Sequence, residues 1–143
     1  MGISKLNAEC YYDPTAYEAL SAIENEERAL RAFRPIVYIC SPYVGEVSKN
    51  VENARRYSRF AVNQGYIPLA PHLLFPQFLN DRIPRERQLG LFFGTALMSK
   101  CSEVWVFGSR ISSGMEEEIK RARWKNYPIR YFTNSCEEVT HGI

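Results

Sequence analysis

Apolar positions along this chain alternate between two kinds of pattern. Tyr17, Leu20, Ile23, Leu30 and Phe33 recur at helical spacing with Glu24, Glu26, Glu27, Arg28 and Arg31 between them, which predicts an amphipathic helix over about 14–33. Asp13 is its expected N-cap, Pro14 fits the first helical position, and Pro35 disfavours helical geometry at the residue before it. Ile36-Val37-Tyr38-Ile39-Cys40 is a short, wholly apolar run rich in β-branched and aromatic residues, predicting a buried strand followed by the turn Ser41-Pro42-Tyr43-Val44-Gly45. Over 50–64 the helical period returns. Ala54, Tyr57, Ser58, Ala61 and Val62 share one face, Arg55, Arg56 and Arg59 form a solvated one, and Gly65 terminates the helix.

The same alternation continues to the C-terminus. A second strand is expected at 66–70, then an irregular and unusually apolar stretch over 71–84, of the kind that lids a pocket or forms a subunit contact. A helix over about 85–99, a strand at 104–107 ending at Gly108, a helix over about 114–126 and a strand at 128–132 follow, with 135–143 read as a tail. Strands alternating with helical crossovers predict an α/β fold, a doubly wound parallel sheet of Rossmann or flavodoxin type with an extra N-terminal helix. The organisation expected is one domain overall: a helical extension at 1–34, a core at 35–134 and the tail. Ligands of such sheets bind beyond the C-terminal strand ends, where segments 41–49, 71–80 and 108–115 converge.

Composition narrows the class without naming a substrate. The 143 residues are 45% hydrophobic and 24% charged, the balance of an ordinary globular domain. Lys+Arg 18 against Asp+Glu 16 leave a formal charge of +2, too small and too evenly spread for polynucleotide binding. No apolar run approaches the ~20 residues of a membrane span and the first residues lack a signal-peptide pattern, so a cytoplasmic protein is expected. Cys10, Cys40, Cys101 and Cys136 form no close pair and are expected as reduced thiols. With His72 and His141 the only histidines, no metal site and no cofactor are expected; phosphate-loop, dinucleotide and nucleophile-elbow motifs are all absent from the sequence.

Candidate chemistry concentrates at the converging segments. At about 100° per residue Met115, Ile119, Ala122 and Asn126 line one stripe of the 114–126 helix, and Glu118 falls within about 60° of its centre while Glu116 and Glu117 point away. All three acids could simply complement the helix N-terminus, but a carboxylate facing the sheet has its pKa raised by desolvation and suits a nucleophile or general base. Ser112-Ser113-Gly114 combines hydroxyls with free N–H groups at a helix start, either a plain Ser cap or an anion site. Ser41, Pro42 and Tyr43 after the first strand, and Ser112, Ser113, Gly114 and Met115 after the third, are thus candidates for binding substrate or phosphate. Tyr38, inside a strand, reads as core. His72, directly after the second strand, reads as a site residue.

Three motifs in order, Tyr38-Ile39-Cys40-Ser41-Pro42-Tyr43, Pro71-His72 and Ser112-x-Gly114-x-x-x-Glu118, make the stretch 36–132 similar to the nucleoside 2-deoxyribosyltransferase superfamily. Its nearer branch resembles the nucleoside 5′-monophosphate N-glycosidases, and the whole chain, with Lys5-Leu6-Asn7 and Asp13-Pro14-Thr15, resembles small uncharacterised proteins of bacteria, phages and mobile elements in that superfamily. The resemblance implies cleavage of an N-glycosidic bond. Glu118 matches the nucleophilic glutamate, Tyr38 a tyrosine that assists it, and His72 a histidine of the monophosphate hydrolases. Ser112 matches the serine that those hydrolases carry where the transferases carry Asp, which implies a phosphorylated small-molecule nucleotide. Gly94 and Ser102 stand where the superfamily often has Asp, leaving His72 or water as the leaving-group acid. A binder that sequesters a nucleotide without turnover and a deoxyribosyltransferase are the alternative readings. A homo-oligomer, a dimer as in the related enzymes, is expected from the apolar 71–80 segment and the N-terminal helix.

Overall fold

A computed structural model of the chain describes residues 14–140. The described residues divide into two units, one ending at Phe33 and the other beginning at Arg34. In the first, α1 (Pro14–Leu30) ends a little earlier than the periodicity predicts, and Leu20, Ile23, Leu30 and Phe33 stay exposed. The expected Asp13 cap lies outside the described residues. Among the described residues no helix is long and apolar enough to cross a membrane.

The second unit is built from β1 (Ile36–Cys40), α2 (Val47–Asn63), β2 (Ile67–Leu69), α3 (Pro71–Leu74), a 3-10 turn over Phe75–Gln77, α4 (Pro84–Met98), β3 (Glu103–Phe107), α5 (Ser113–Trp124), β4 (Ile129–Phe132) and β5 (Glu138–Val139). The sheet order is β2-β1-β3-β4-β5, parallel through β4. Residues alternate across it because successive strand side chains point to opposite faces. Tyr38, Cys40, Val104 and Val106 pack with Met98 of α4 and Met115, Ile119 and Ala122 of α5. Val37, Ile39, Trp105, Phe107 and Phe132 pack with Tyr57 and Ala61 of α2. Helices thus cover both faces and make the sheet doubly wound, as predicted. The second face is an aromatic stack, with Tyr57 on Phe107 at 4.2 Å and Phe107 on Phe132 at 4.9 Å between centroids.

Four features depart from the sequence expectation. The first half of segment 71–84 is ordered into α3 and the 3-10 turn, with Pro71 at the first helical position, while 78–83 is irregular as expected. The α2 helix begins at Val47, ahead of position 50. Asn126 is not part of the buried stripe: it follows the C-cap of α5 with φ 59°, the left-handed conformation that ends helices and that Asn tolerates. Residues read as tail contain β5, antiparallel to β4 and held by the paired hydrogen bonds of 2.8 Å from Arg130 to Glu138. Arg130 also lies over the Trp105 ring at 4.9 Å, so the pair shields the aromatic face and occupies the sheet edge.

Candidate active site

In this strand order the direction of winding reverses between β1 and β3, and a ligand crevice is expected outside their C-terminal ends. A cleft of about 960 Å³ lies there, and its lining includes Ser41, Tyr43, His72, Ser112, Gly114 and Glu118. Ser113 and Met115 line it as well, whereas Pro42 only shapes the turn after β1 and Tyr38 lies outside the lining. Of the candidates read from the sequence, all but these two therefore reach the cleft wall. The 76–80 stretch closes another side, as the apolar character of that segment suggested.

The α5 helix carries the central carboxylate. Ser112 caps it, its Oγ accepting from the Met115 N–H at 3.3 Å, and Met115 and Ile119 anchor it to the sheet at 1% and 4% exposure. Glu116 and Glu117 stay exposed while Glu118, next to the anchored Ile119, is drawn half under cover. Burial pushes the Glu118 carboxyl up to about 7, opposed by a hydrogen bond from the Tyr38 hydroxyl to the carboxylate. Burial and then the neighbouring Glu118 charge hold the Tyr38 phenol far above its ordinary range, so Tyr38 is a neutral donor at physiological pH. The buried Cys40 thiol is raised for the same two reasons, and stays neutral.

Gly94 explains how Tyr38 finds room. A Cβ at that position of α4 would meet the Tyr38 hydroxyl at 3.3 Å, so the acid that the superfamily resemblance anticipates there would crowd the phenol. Ser102 precedes β3, at the end of the sheet away from the cleft, and its N–H donates to the Ile36 carbonyl at 2.7 Å. Its identity does not bear on the cleft.

His72 sits on α3 immediately beyond β2, with its Nε2 2.8 Å from the hydroxyl of the buried Ser41 and its ring edge-on to Tyr43 at 6.4 Å. Burial lowers its pKa to about 4, leaving a neutral imidazole at physiological pH. The site thus holds one carboxyl that titrates near neutrality, one neutral phenol donor and one neutral imidazole. Sequence reasoning missed the wall formed by Asp81, Arg82, Glu86 and Arg87. Its charges carry no motif, and only the fold of the 75–84 stretch turns them to the cleft. Replacing Ser112 by Ala removes the α5 cap and is expected to cost about 1 kcal/mol of stability in urea unfolding.

The solved structure of the 2-deoxyribosyltransferase from the psychrotolerant bacterium Bacillus psychrosaccharolyticus is similar to this chain, with a TM-score of 0.59 and 12% identity over 75% of this chain and 75% of that chain. The likeness is one of fold, the Rossmann-like α/β sheet described above. No curated protein matches the chain. Residues 35–132, which hold every strand but β5 and the whole converging site, match the family described as "Domain of unknown function (DUF7768)", and the chain belongs to that family.

Proposed function

We propose that this protein cleaves the N-glycosidic bond of a nucleotide or nucleotide-like ligand, with Glu118 as nucleophile. The observation that carries the reading is the half-buried Glu118 carboxyl on the cleft wall, raised to about 7 and hydrogen-bonded by Tyr38, in a fold shared with a 2-deoxyribosyltransferase. In the first step a Glu118 carboxylate oxygen bonds to the anomeric carbon, the bond from that carbon to the base nitrogen breaks, and its electron pair leaves with the base. The base takes a proton from water, since His72 is neutral. Water then adds at the anomeric carbon, the bond from that carbon to the Glu118 oxygen breaks with its electron pair returning to the carboxylate, and the proton lost by the attacking water neutralises the hydroxide left when the base was protonated. A phosphate on the ligand would be held by the Ser113 and Gly114 N–H groups, which lack intrahelical partners at the start of α5, and by the Ser112 hydroxyl proton, a reading supported by the general affinity of helix starts for anions.

The test is base release from a panel of nucleosides, nucleoside monophosphates, NAD and cyclic ADP-ribose species, separated by chromatography. A second free base in the same reaction distinguishes transfer from hydrolysis, a distinction that matters because the fold neighbour is a transferase by name. Absence of released base, with an intact nucleotide recovered from the denatured protein, would support the sequestering alternative favoured by Gly94.

Because the nucleophile must be ionised, base release is expected to rise with pH through about 7. Tyr38→Phe removes the hydrogen bond that favours the charged carboxylate, so its midpoint moves to higher pH. A Tyr38 that served only as core would leave the midpoint in place and merely weaken the fold. We also infer a homodimer, supported by Phe78, Leu89, Leu91 and Phe92, which stay exposed along the 78–92 stretch. Light scattering is expected to return twice the 16.6 kDa chain mass, and a monomer at working concentration would contradict it.

A further inference from the structure

The cleft contains cations that the proposed chemistry does not use. Arg82 and Arg87 line it, and among the described residues they are its only cationic side chains. Both are exposed, and among the described residues neither forms an ion pair although Asp81 and Glu86 stand beside them. The local turn is organised around other bonds: the Asn80 N–H donates to Glu86 Oε1 at 3.2 Å, and the Arg82 N–H donates to Asn80 Oδ1 at 3.0 Å. Arg85 and Arg87 also outnumber Glu86 in the first turn of α4, where the helix dipole disfavours cations. An anion bound beside them would offset that cost.

The start of α5 is a separate anchor, offering N–H groups and hydroxyls with no cation, on a different stretch of chain. At about 960 Å³ the cleft also lies near the upper end of the range of roughly 300–1,000 Å³ found for small-ligand sites, with room beyond a single nucleoside monophosphate. We infer that Arg82 and Arg87 bind a second anionic group of the ligand, so that the ligand class is a nucleoside diphosphate or a dinucleotide joined through a pyrophosphate. The inference rests on the reading of the cleft as a nucleotide site, and not on turnover. Two guanidinium forks suit adjacent phosphate oxygens, which lysine would meet only as point charges.

The test is calorimetric binding of the 5′-monophosphates and 5′-diphosphates of the common nucleosides, and of NAD, to the full chain carrying Glu118→Gln to prevent turnover. At least one diphosphate or dinucleotide is expected to bind about tenfold or more tightly than the matching monophosphate. Arg82→Ala with Arg87→Ala should bring that ratio close to one while leaving monophosphate affinity unchanged. Both residues are exposed, so circular dichroism should show the fold intact. Equal affinities in the parent protein, equal losses for mono- and diphosphates in the double variant, or no nucleotide binding at all would overturn the inference. A diphosphate preference without base release from the Glu118-bearing chain keeps it and removes the glycosidase reading. Base release from monophosphates with no diphosphate preference does the reverse.

Discussion

Glu118→Gln is expected to reduce base release by at least on the order of 10³-fold while leaving the protein folded. Glutamine keeps the shape and one acceptor oxygen but cannot bond to the anomeric carbon and then leave. The same substitution has a stability signature of predictable sign. The folded-state pKa of Glu118, about 7, lies above the ordinary carboxyl value of 4.5, so the folded protein holds a proton that the unfolded chain releases. Stability contributed by the neutral carboxyl is complete below 4.5 and is lost as pH rises towards about 7, where ionisation in the half-buried site becomes unavoidable. Glutamine never ionises. The variant should therefore unfold at a higher temperature than the parent at pH well above 7, and at nearly the same temperature under acidic conditions. A variant that retained full base release, or that lost its melting advantage at alkaline pH, would separate Glu118 from the role assigned to it.

Trp105→Ala is expected to produce the largest loss of stability, about 3–5 kcal/mol, against the 5–15 kcal/mol that holds a typical domain folded. Trp105 is fully buried at the centre of the aromatic face, 4.6 Å from Tyr66 and 5.0 Å from Phe132 between ring centroids. Its indole N–H donates to Glu103 at 3.2 Å, and Glu103 also accepts from the Tyr66 hydroxyl at 2.7 Å. Truncation would leave a cavity between stacked rings that cannot collapse on to one another without breaking β3 pairing on both sides. Urea unfolding monitored by circular dichroism reads the loss directly. A change below about 1 kcal/mol would mean that the face is repacked, contrary to the close interdigitation of native cores.

Much of this arrangement is legible in the amino-acid order because strong local signals coincide with burial. The apolar runs 36–40 and 104–107 are central strands, and a strand covered on both faces must be apolar throughout. The inward turn of Glu118, against the outward Glu116 and Glu117, follows from helical period alone. The position of His72 beside Ser41 follows from the order of strands, which brings the ends of β1 and β2 together.

What was not legible depends on contacts between distant residues. The two-residue β5 has no pattern of its own and exists through Arg130 and Glu138. Asn126 fits the helical stripe by spacing, yet its tolerance of positive φ makes it the residue that ends the helix. The meeting of Gly94 with the Tyr38 hydroxyl joins α4 to β1, and no periodicity in either segment announces it. Arg82 and Arg87 read as ordinary surface charge until the turn around Asn80 directs their stretch to the cleft.

The central claim is a covalent bond between Glu118 and the sugar. It is tested most directly by incubating the protein with nucleotides whose sugar carries a 2′-fluoro-arabino substituent, which destabilises positive charge at the anomeric carbon and slows release of a glycosyl-enzyme. Intact mass followed by peptide mapping should show one added glycosyl group, on Glu118, with the free base appearing in equal amount. Base release with no adduct, or an adduct on any other residue, would contradict it.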